Sequence, residues 1–379
     1  MMKPIRVGFL SHKNYLDKNT FSGTLYSMYS ALKSRDIELI NLGNPQKPSA
    51  WQKPLKLIDK VSSVLRDESE NSNEQYEKFI QQVEKQLKSQ PCDLIYAPVA
   101  SKELSFFETD IPIVYWSDAT AKLINETYKV YSCEEDFILA SQQELTAVSK
   151  ASKLVYSSDW AAQSAINDYG AEPKKIEVMP LGANVDKVPD PPETLEKCNI
   201  SKCNLLFIGK DWQRKGGRIA FETLVSLLEM QIDAELLLIG CTPPAEFKHE
   251  KVQVIPFLNK NIPQEQEQFS QLLLKSHFLI FPTRADCSPI VICEANGYGI
   301  PVITTDVGGI PTIIKNGKNG KMLPLSAEGK DFASVIASYF SNKEIYEQLV
   351  RSSREEYDNH LNWSKWAERM HQIMIDTLE

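Results

Sequence analysis

The sequence predicts an α/β protein of two domains, each built on a parallel sheet. Short apolar segments alternate with helix-forming segments in two successive series, one before residue 188 and one after residue 200. Between the series lies Val188–Glu193, whose proline and charge are typical of a linker. The 379 residues, 42% of them hydrophobic, are enough for two ordinary domain cores.

Composition narrows the classes of function. The formal net charge of −8 excludes general binding to nucleic acid. The first apolar run is too short for a signal peptide, and no window approaches about 18 apolar residues. We therefore expect a cytoplasmic protein, with peripheral contact at the inner face of the membrane left open. The seven cysteines and five histidines are scattered without metal-ligand spacing, so we expect no metal site.

The first series contains six short segments that predict strands: 5–10, 36–42, 93–98, 111–116, 153–157 and 175–180. Helical patterns lie between them, and 55–65 predicts a further helix that either packs on a domain face or contacts an acceptor. Gly23 precedes the first helix, where it permits close backbone approach or makes an ordinary connection. Asp118 follows the fourth strand, at the rim where ligands bind, or else caps the next helix.

The second series predicts strands at 205–209, 235–240, 252–256, 277–281 and 301–305, with mostly helix from 327 to the end. After its first strand comes Arg214-Lys215-Gly216-Gly217. Arginine can bind two phosphate oxygens and lysine adds a second charge, so this loop predicts a phosphate site. A basic surface loop is the alternative.

The segment 281–309 predicts strand, loop, helix, strand and a Gly-Gly turn. Ser288 is the expected N-cap and Pro289 the first residue of a helix that ends near residue 296. The helix N-terminus suits phosphate, whereas Asp286 and Glu294 suit sugar or ribose hydroxyls. Together they indicate a phosphorylated sugar; the alternative is a capped surface helix with an exposed glutamate.

This segment resembles the donor-site motif of the family-4 retaining glycosyltransferases (glycosyl transferases group 1), in which two acids are separated by seven residues and a Gly-Gly turn follows. Asp286 stands where the family usually has Glu, and Ser288-Pro289 replaces an aromatic-Gly pair. Thr312 replaces an acid that is common after the turn. These departures leave the transferred sugar open.

The resemblance implies a GT-B fold of two facing Rossmann-like domains and assigns roles to individual residues. Asp118 and Asp286 would be catalytic, at the acceptor and the sugar. The other implied residues bind the donor: Gly23, Arg214, Lys215, Ser288, Pro289, Ile290 and Val291 at the diphosphate, Phe257 and Leu258 at the base, and Glu294 at the ribose.

The same resemblance implies a domain plan. Residues 1–187 would form an acceptor-binding domain, 188–200 the linker and 201–360 the nucleotide-sugar domain. Residues 361–379 would form a helix that returns to the first domain.

The implied reaction transfers a hexose from a nucleoside diphosphate sugar, with UDP favoured and GDP second, to a hydroxyl of a saccharide or glycolipid in polysaccharide or glycoconjugate synthesis. It retains the anomeric configuration and uses neither metal nor cofactor. Two alternatives stay open: a nucleotide-sugar epimerase of the same fold, for which the sequence shows no His–acid pair, and a non-catalytic sugar-nucleotide binding protein. The oligomeric state stays undetermined.

Overall fold

The computed structural model describes residues 4–43, 71–196, 198 and 202–379. The chain is divided into two compact units. The first consists of Met1–Met179 and Ala367–Glu379, and the second of Pro180–Trp366. The helix predicted at 55–65 lies outside the described residues. Each unit contains a six-stranded sheet in which every neighbouring pair of strands is parallel. The two parallel sheets predicted from the alternating pattern are therefore confirmed.

The elements of the first unit follow in chain order: β1 (Ile5–Leu10), α1 (Thr24–Lys33), β2 (Ile37–Leu42), α2 (Asn71–Ser89), β3 (Leu94–Pro98), α3 (Ser101–Ser105), β4 (Ile113–Ser117), α4 (Ala121–Tyr128), α5 (Glu134–Lys150), β5 (Lys153–Tyr156), α6 (Asp159–Tyr169) and β6 (Ile176–Val178). Their order in the sheet is β2-β1-β3-β4-β5-β6. All residues of β3 and β4 are buried, as expected for central strands covered on both faces. The chain runs from β1 to β2 on one side of the sheet and from β3 to β4 on the other side. The topological switch point, where the strand order reverses, therefore lies between β1 and β3.

The elements of the second unit are α7 (Pro191–Glu196), β7 (Cys203–Ile208), α8 (Gly217–Glu229), β8 (Ala234–Ile239), β9 (Val252–Ile255), α9 (Pro263–Leu274), β10 (Phe278–Phe281), α10 (Ile290–Gly297), β11 (Val302–Thr305), α11 (Ile310–Ile313), β12 (Gly320–Leu323), α12 (Gly329–Phe340) and α13 (Lys343–Asn359). The last helix, α14 (Trp363–Leu378), begins in this unit and continues in the first. The sheet order is β12-β11-β10-β7-β8-β9, the strand order of dinucleotide-binding domains, with its switch point between β7 and β10.

The units divide at 179/180, whereas the sequence predicted a boundary at 187/188. Residues 180–187 belong with the second unit because they bond to it. The Cys293 thiol donates to the Leu181 carbonyl oxygen at 3.3 Å, and the Tyr298 hydroxyl donates to the Lys187 carbonyl oxygen at 2.9 Å. At the end of the chain, 367–379 group with the first unit, compared with the predicted 361–379.

No helix in the part of the chain that the structure describes is both long and apolar enough to span a bilayer. A cytoplasmic location and peripheral membrane contact stay predictions.

Candidate functional site

The switch point of the second sheet carries an ion pair between two loops. Lys215 lies in the connection after β7 and Asp286 in the connection after β10, at the carboxyl ends where open parallel sheets bind ligands. The Lys215 ammonium donates to Asp286 Oδ2 and lies 4.8 Å from the centre of the Phe281 ring. The two side chains are only 14% and 10% exposed, so water screens their attraction little.

Backbone contacts hold the same loops together. The Arg284 amide donates to the Arg214 carbonyl oxygen at 2.7 Å, and Arg214 Nη1 donates to the Ala285 carbonyl oxygen at 2.9 Å. Gly216 has a φ of +77°, and a Cβ there would stand 2.0 Å from the Pro282 carbonyl oxygen. Glycine is therefore required at this position, and the predicted phosphate loop is fixed against the segment that carries Asp286.

The Gly-Gly turn approaches Asp286 from another side. The Gly309 amide donates to the Asp286 carbonyl oxygen at 3.2 Å. Gly308 has a φ of +55°, and a Cβ there would stand 1.9 Å from the same oxygen. The turn predicted from the glycine pair thus allows a backbone contact that no side chain would permit.

Glu294 projects from α10 and is held by a lysine that the sequence pattern did not single out. Its side chain is 2% exposed, and Lys260 Nζ donates to its Oε1 at 2.5 Å. Lys260 lies between β9 and α9, so only the fold brings the two residues together.

Each acidic side chain keeps one oxygen that accepts no hydrogen bond from the residues the structure describes. Lys215 binds Oδ2 of Asp286, which leaves Oδ1, and Lys260 binds Oε1 of Glu294, which leaves Oε2. Buried polar atoms are normally paired, and an ionised carboxylate can accept several hydrogen bonds. Both carboxylates are therefore suited to accept hydroxyl groups of a ligand.

The start of α10 differs from the prediction by one residue. Pro289 is the N-cap, with φ −74° and ψ 101°, and the helix begins at Ile290. Ser288 is not the N-cap, because its hydroxyl donates to the Cys287 carbonyl oxygen at 2.8 Å. No side chain caps the helix, so the first amides, at Ile290 and Val291, remain suitable donors to an anion.

The two residues predicted at the base differ in exposure. Phe257 follows β9 and is 47% exposed, whereas Leu258 is half-buried against the core of the second unit. An exposed aromatic ring at this edge is consistent with a surface for stacking. The base assignment stays a prediction.

In the first unit, Gly23 ends a strained connection. Gly23 is the N-cap of α1 with a φ of +84°, and Phe21 and Ser22 before it have φ values of 49° and 55°. Such angles are unfavourable for residues with side chains and occur often at functional loops. The role of Gly23 at the diphosphate stays a prediction.

Asp118 immediately follows β4, as predicted, and it does not cap α4. Thr120 is the N-cap there, and its hydroxyl accepts a hydrogen bond from the Leu123 amide. Nearby, the Tyr115 hydroxyl lies 3.1 and 3.3 Å from the carboxyl oxygens of Glu144. Burial, with a smaller contribution from the charge of Asp118, raises the pKa of Glu144 to about 7.

The switch point of the first sheet also carries a His–acid pair, which the sequence did not reveal. His12 follows β1, and its Nδ1 bonds to the buried carboxylate of Glu103 on α3, while Nε2 lies 3.0 Å from the Tyr76 hydroxyl. Although burial raises it, the hydrogen bond and charge of His12 hold the pKa of Glu103 below its ordinary value. The two residues are 91 positions apart, so only the fold brings this pair together.

The predicted site residues fall into two groups. Gly23 and Asp118 lie in the first unit, and the remaining ten lie in the second. Among these ten, the structure directly joins only Lys215 to Asp286 by a side-chain ion pair within the described ranges. In the same ranges no three His, Cys, Asp or Glu residues are grouped so as to hold a metal ion.

Sequence comparison identifies relatives of this chain. Residues 202–342 match the family model Glycosyl transferases group 1. A D-inositol 3-phosphate glycosyltransferase of Gordonia bronchialis is 20% identical over 264 residues, which cover 64% of this chain and 56% of the relative. The lipopolysaccharide glucosyltransferase WaaG of Escherichia coli is 26% identical over 212 residues, 54% of this chain and 53% of the relative. The chain thus spans little more than half the length of these curated relatives.

Structural comparison extends the likeness along the whole chain. HepE of Anabaena, solved in complex with UDP and glucose, superposes with a TM-score of 0.64 at 14% identity and covers 98% of this chain and 100% of that one. At this identity the likeness shows the fold alone, and it agrees with two Rossmann-like domains. Residues 202–342 are thus similar to the Glycosyl transferases group 1 family, and the fold of the chain is GT-B.

Proposed function

We propose that this chain is a retaining glycosyltransferase that moves a hexose from a UDP-sugar to a hydroxyl of a saccharide or glycolipid. The observation that carries the proposal is the pair of nearly buried carboxylates, each bound by a lysine through one oxygen and open at the other. Hydroxyl groups of a sugar and a ribose are natural donors to such oxygens.

The diphosphate would lie against the Arg214–Lys215 loop and the start of α10. The loop offers two cations, and the helix offers amide donors at Ile290 and Val291 together with the positive end of its dipole. Charge on the diphosphate grows as it leaves the sugar. Groups fixed before that moment stabilise the transition state, by about 3 kcal/mol for each well-placed donor.

The two carboxylates would then bind different parts of the same donor molecule. Glu294 lies one helical turn beyond Ile290, so we assign Oε2 to the ribose. Asp286 lies ahead of the helix, and we assign Oδ1 to the transferred sugar. The bond from the anomeric carbon to the diphosphate breaks, and a bond from that carbon to the acceptor oxygen forms. The proton of the acceptor hydroxyl leaves with the nucleoside diphosphate, and Asp118 is the proposed residue beside the acceptor.

The choice of donor and acceptor draws on named relatives. HepE was solved with UDP and glucose, and WaaG is a lipopolysaccharide glucosyltransferase. The HepE complex favours a UDP-hexose donor here, and the name of WaaG favours a saccharide or glycolipid acceptor. No metal or cofactor is part of the proposal.

The test is a turnover assay over UDP-, GDP-, ADP- and TDP-glucose, with octyl glucoside and with a lipooligosaccharide core as acceptors. We expect UDP release that depends on acceptor, and a glycosylated product whose anomeric configuration matches the donor by NMR. Asp286→Asn serves as the matched control, because it keeps the size of the side chain and removes its charge.

Two other outcomes would each replace the proposal. The His12–Glu103 pair supplies the kind of acid–base couple that an epimerase needs. Interconversion of UDP-sugars without release of UDP would therefore establish the epimerase. Binding of a nucleotide sugar without either reaction would establish a non-catalytic binding protein.

A further inference from the structure

Lys260 makes three contacts that fix its ammonium group beside α10. Nζ donates to Glu294 Oε1 at 2.5 Å and to the Asn184 carbonyl oxygen at 3.4 Å. It also lies 4.5 Å from the centre of the Phe269 ring. The ring is buried and the lysine side chain as a whole is 26% exposed.

The pair has a physical reason that goes beyond packing. A carboxylate as buried as Glu294 is stable in its charged form only if a cation or strong donors compensate it. Lys260 is its one hydrogen-bond donor among the residues described, and it uses one oxygen only. The lysine thus does two things at once: it compensates the charge of the carboxylate by an ion pair, and it fixes the direction in which Oε2 points.

We infer that Lys260 is a positioning residue of the donor site, which holds Glu294 so that Oε2 accepts a hydroxyl of the ribose in a nucleoside diphosphate. The inference rests on the proposed function and deepens it. Lys260 acts through Glu294 and needs no contact of its own with the nucleotide.

A purely structural lysine and a positioning lysine predict different binding data. Loss of a structural residue weakens the binding of every nucleotide by the same factor. Loss of a positioning residue instead reduces the preference of the protein for a ligand that carries the ribose hydroxyl over one that lacks it. The measurement is therefore isothermal titration with UDP, 2′-deoxy-UDP and 3′-deoxy-UDP, carried out with the full chain.

For the wild-type chain we expect UDP to bind about tenfold or more tightly than at least one deoxy analogue, the usual effect of one hydrogen bond to a charged group. In Lys260→Met we expect UDP to bind about tenfold more weakly, while the analogue that lacks the bound hydroxyl loses less affinity, so that the preference over that analogue falls to about twofold. In turnover, the KM for the donor should rise and kcat should change less.

The chain offers a matched control. Lys315 Nζ bonds to Glu356 Oε1 at 2.6 Å, and that glutamate side chain is also 2% exposed, with Lys318 on its other oxygen. Lys315→Met removes the same kind of lysine–glutamate contact in the same unit. We expect it to bind all three nucleotides as the wild type does.

Two further variants keep the test decisive if Lys260→Met folds poorly. Lys260→Arg keeps the charge but moves the carboxylate, so it should retain the fold and lose part of the preference for UDP. In a Glu294→Gln background, Lys260→Met should reduce UDP affinity by less than about twofold, because both changes remove one contact.

The inference is overturned if Lys260→Met keeps the wild-type preference for UDP over the deoxy analogues, or if the preference survives in Glu294→Gln. A wild-type chain that binds UDP but does not distinguish the analogues also overturns it, and leaves the proposed function standing. A wild-type chain that binds none of the nucleotides overturns both.

Discussion

Glu144 should make the free energy of unfolding fall as the pH rises through neutrality. Its pKa is raised from 4.5 to about 7, mainly by burial, so the folded chain holds this proton more tightly than the unfolded chain does. The stabilisation is complete below about pH 4.5 and is lost as the pH passes about 7. At 1.36 kcal/mol for each pH unit, the difference between these limits is up to roughly 3 kcal/mol.

Glu144→Gln removes the titration and keeps the shape. The amide oxygen can still accept the hydrogen bond of the Tyr115 hydroxyl, which lies 3.1 Å from the carboxyl group. Any cost of the new NH₂ group does not depend on pH. The quantity to compare is therefore the stability difference between variant and wild type at pH 5 and at pH 8.5.

We expect that difference to move in favour of Glu144→Gln by roughly 2–3 kcal/mol between the two pH values. In thermal unfolding of a unit of this size, that corresponds to roughly 4–12 °C in Tm. Glu108→Gln is the control for the substitution itself, because the Glu108 side chain is 86% exposed. A stability difference that stays constant with pH, or that moves the opposite way, would refute the reasoning.

The remaining predictions concern the donor site. Arg214→Ala and Lys215→Ala should each lower kcat/KM by about a hundredfold because each removes charge stabilisation of the leaving diphosphate; near-wild-type kinetics in both would contradict the phosphate site. Glu294→Gln should mainly raise the donor Kd, whereas Asp286→Asn should mainly lower kcat, because the sugar changes shape at the transition state and the ribose does not; identical patterns would show that the division of roles is wrong. Turnover should persist in excess EDTA, and loss that magnesium or manganese restores would count against a metal-independent reaction.

Much of the fold could be predicted because its signals are local. Short apolar runs, helical spacing and glycine turns depend on neighbours in the sequence, and they indicated both sheets. β12 was missed because its strand character is not local. It begins with Gly320, where a Cβ would stand 2.1 Å from the Val302 carbonyl oxygen. Glycine is needed there for close pairing with β11, although glycine has a low propensity for strands.

The site shows the same division between local and tertiary signals. The spacing of Asp286 and Glu294 could be read from one segment, but their partners could not. Lys260 is 34 positions from Glu294, and Glu103 is 91 positions from His12. The prediction of Ser288 as the N-cap is wrong for a local reason. Pro289 adopts an extended conformation where a helical one was expected, so the helix begins one residue later.

The lysine partners also explain how a site with two acidic residues can bind a negatively charged donor. Two nearly buried carboxylates would repel a diphosphate if their charges were uncompensated. Lys215 and Lys260 each bind one of them, so the two ion pairs carry no net charge, and the amides at the start of α10 can donate to the phosphates. Lys215 is therefore expected to have two functions, neutralising Asp286 and binding phosphate, whereas the sequence predicted only the second. Because the lysines occupy one oxygen of each acid, they also limit where a sugar hydroxyl can bind, which ties charge compensation and donor orientation to the same contacts.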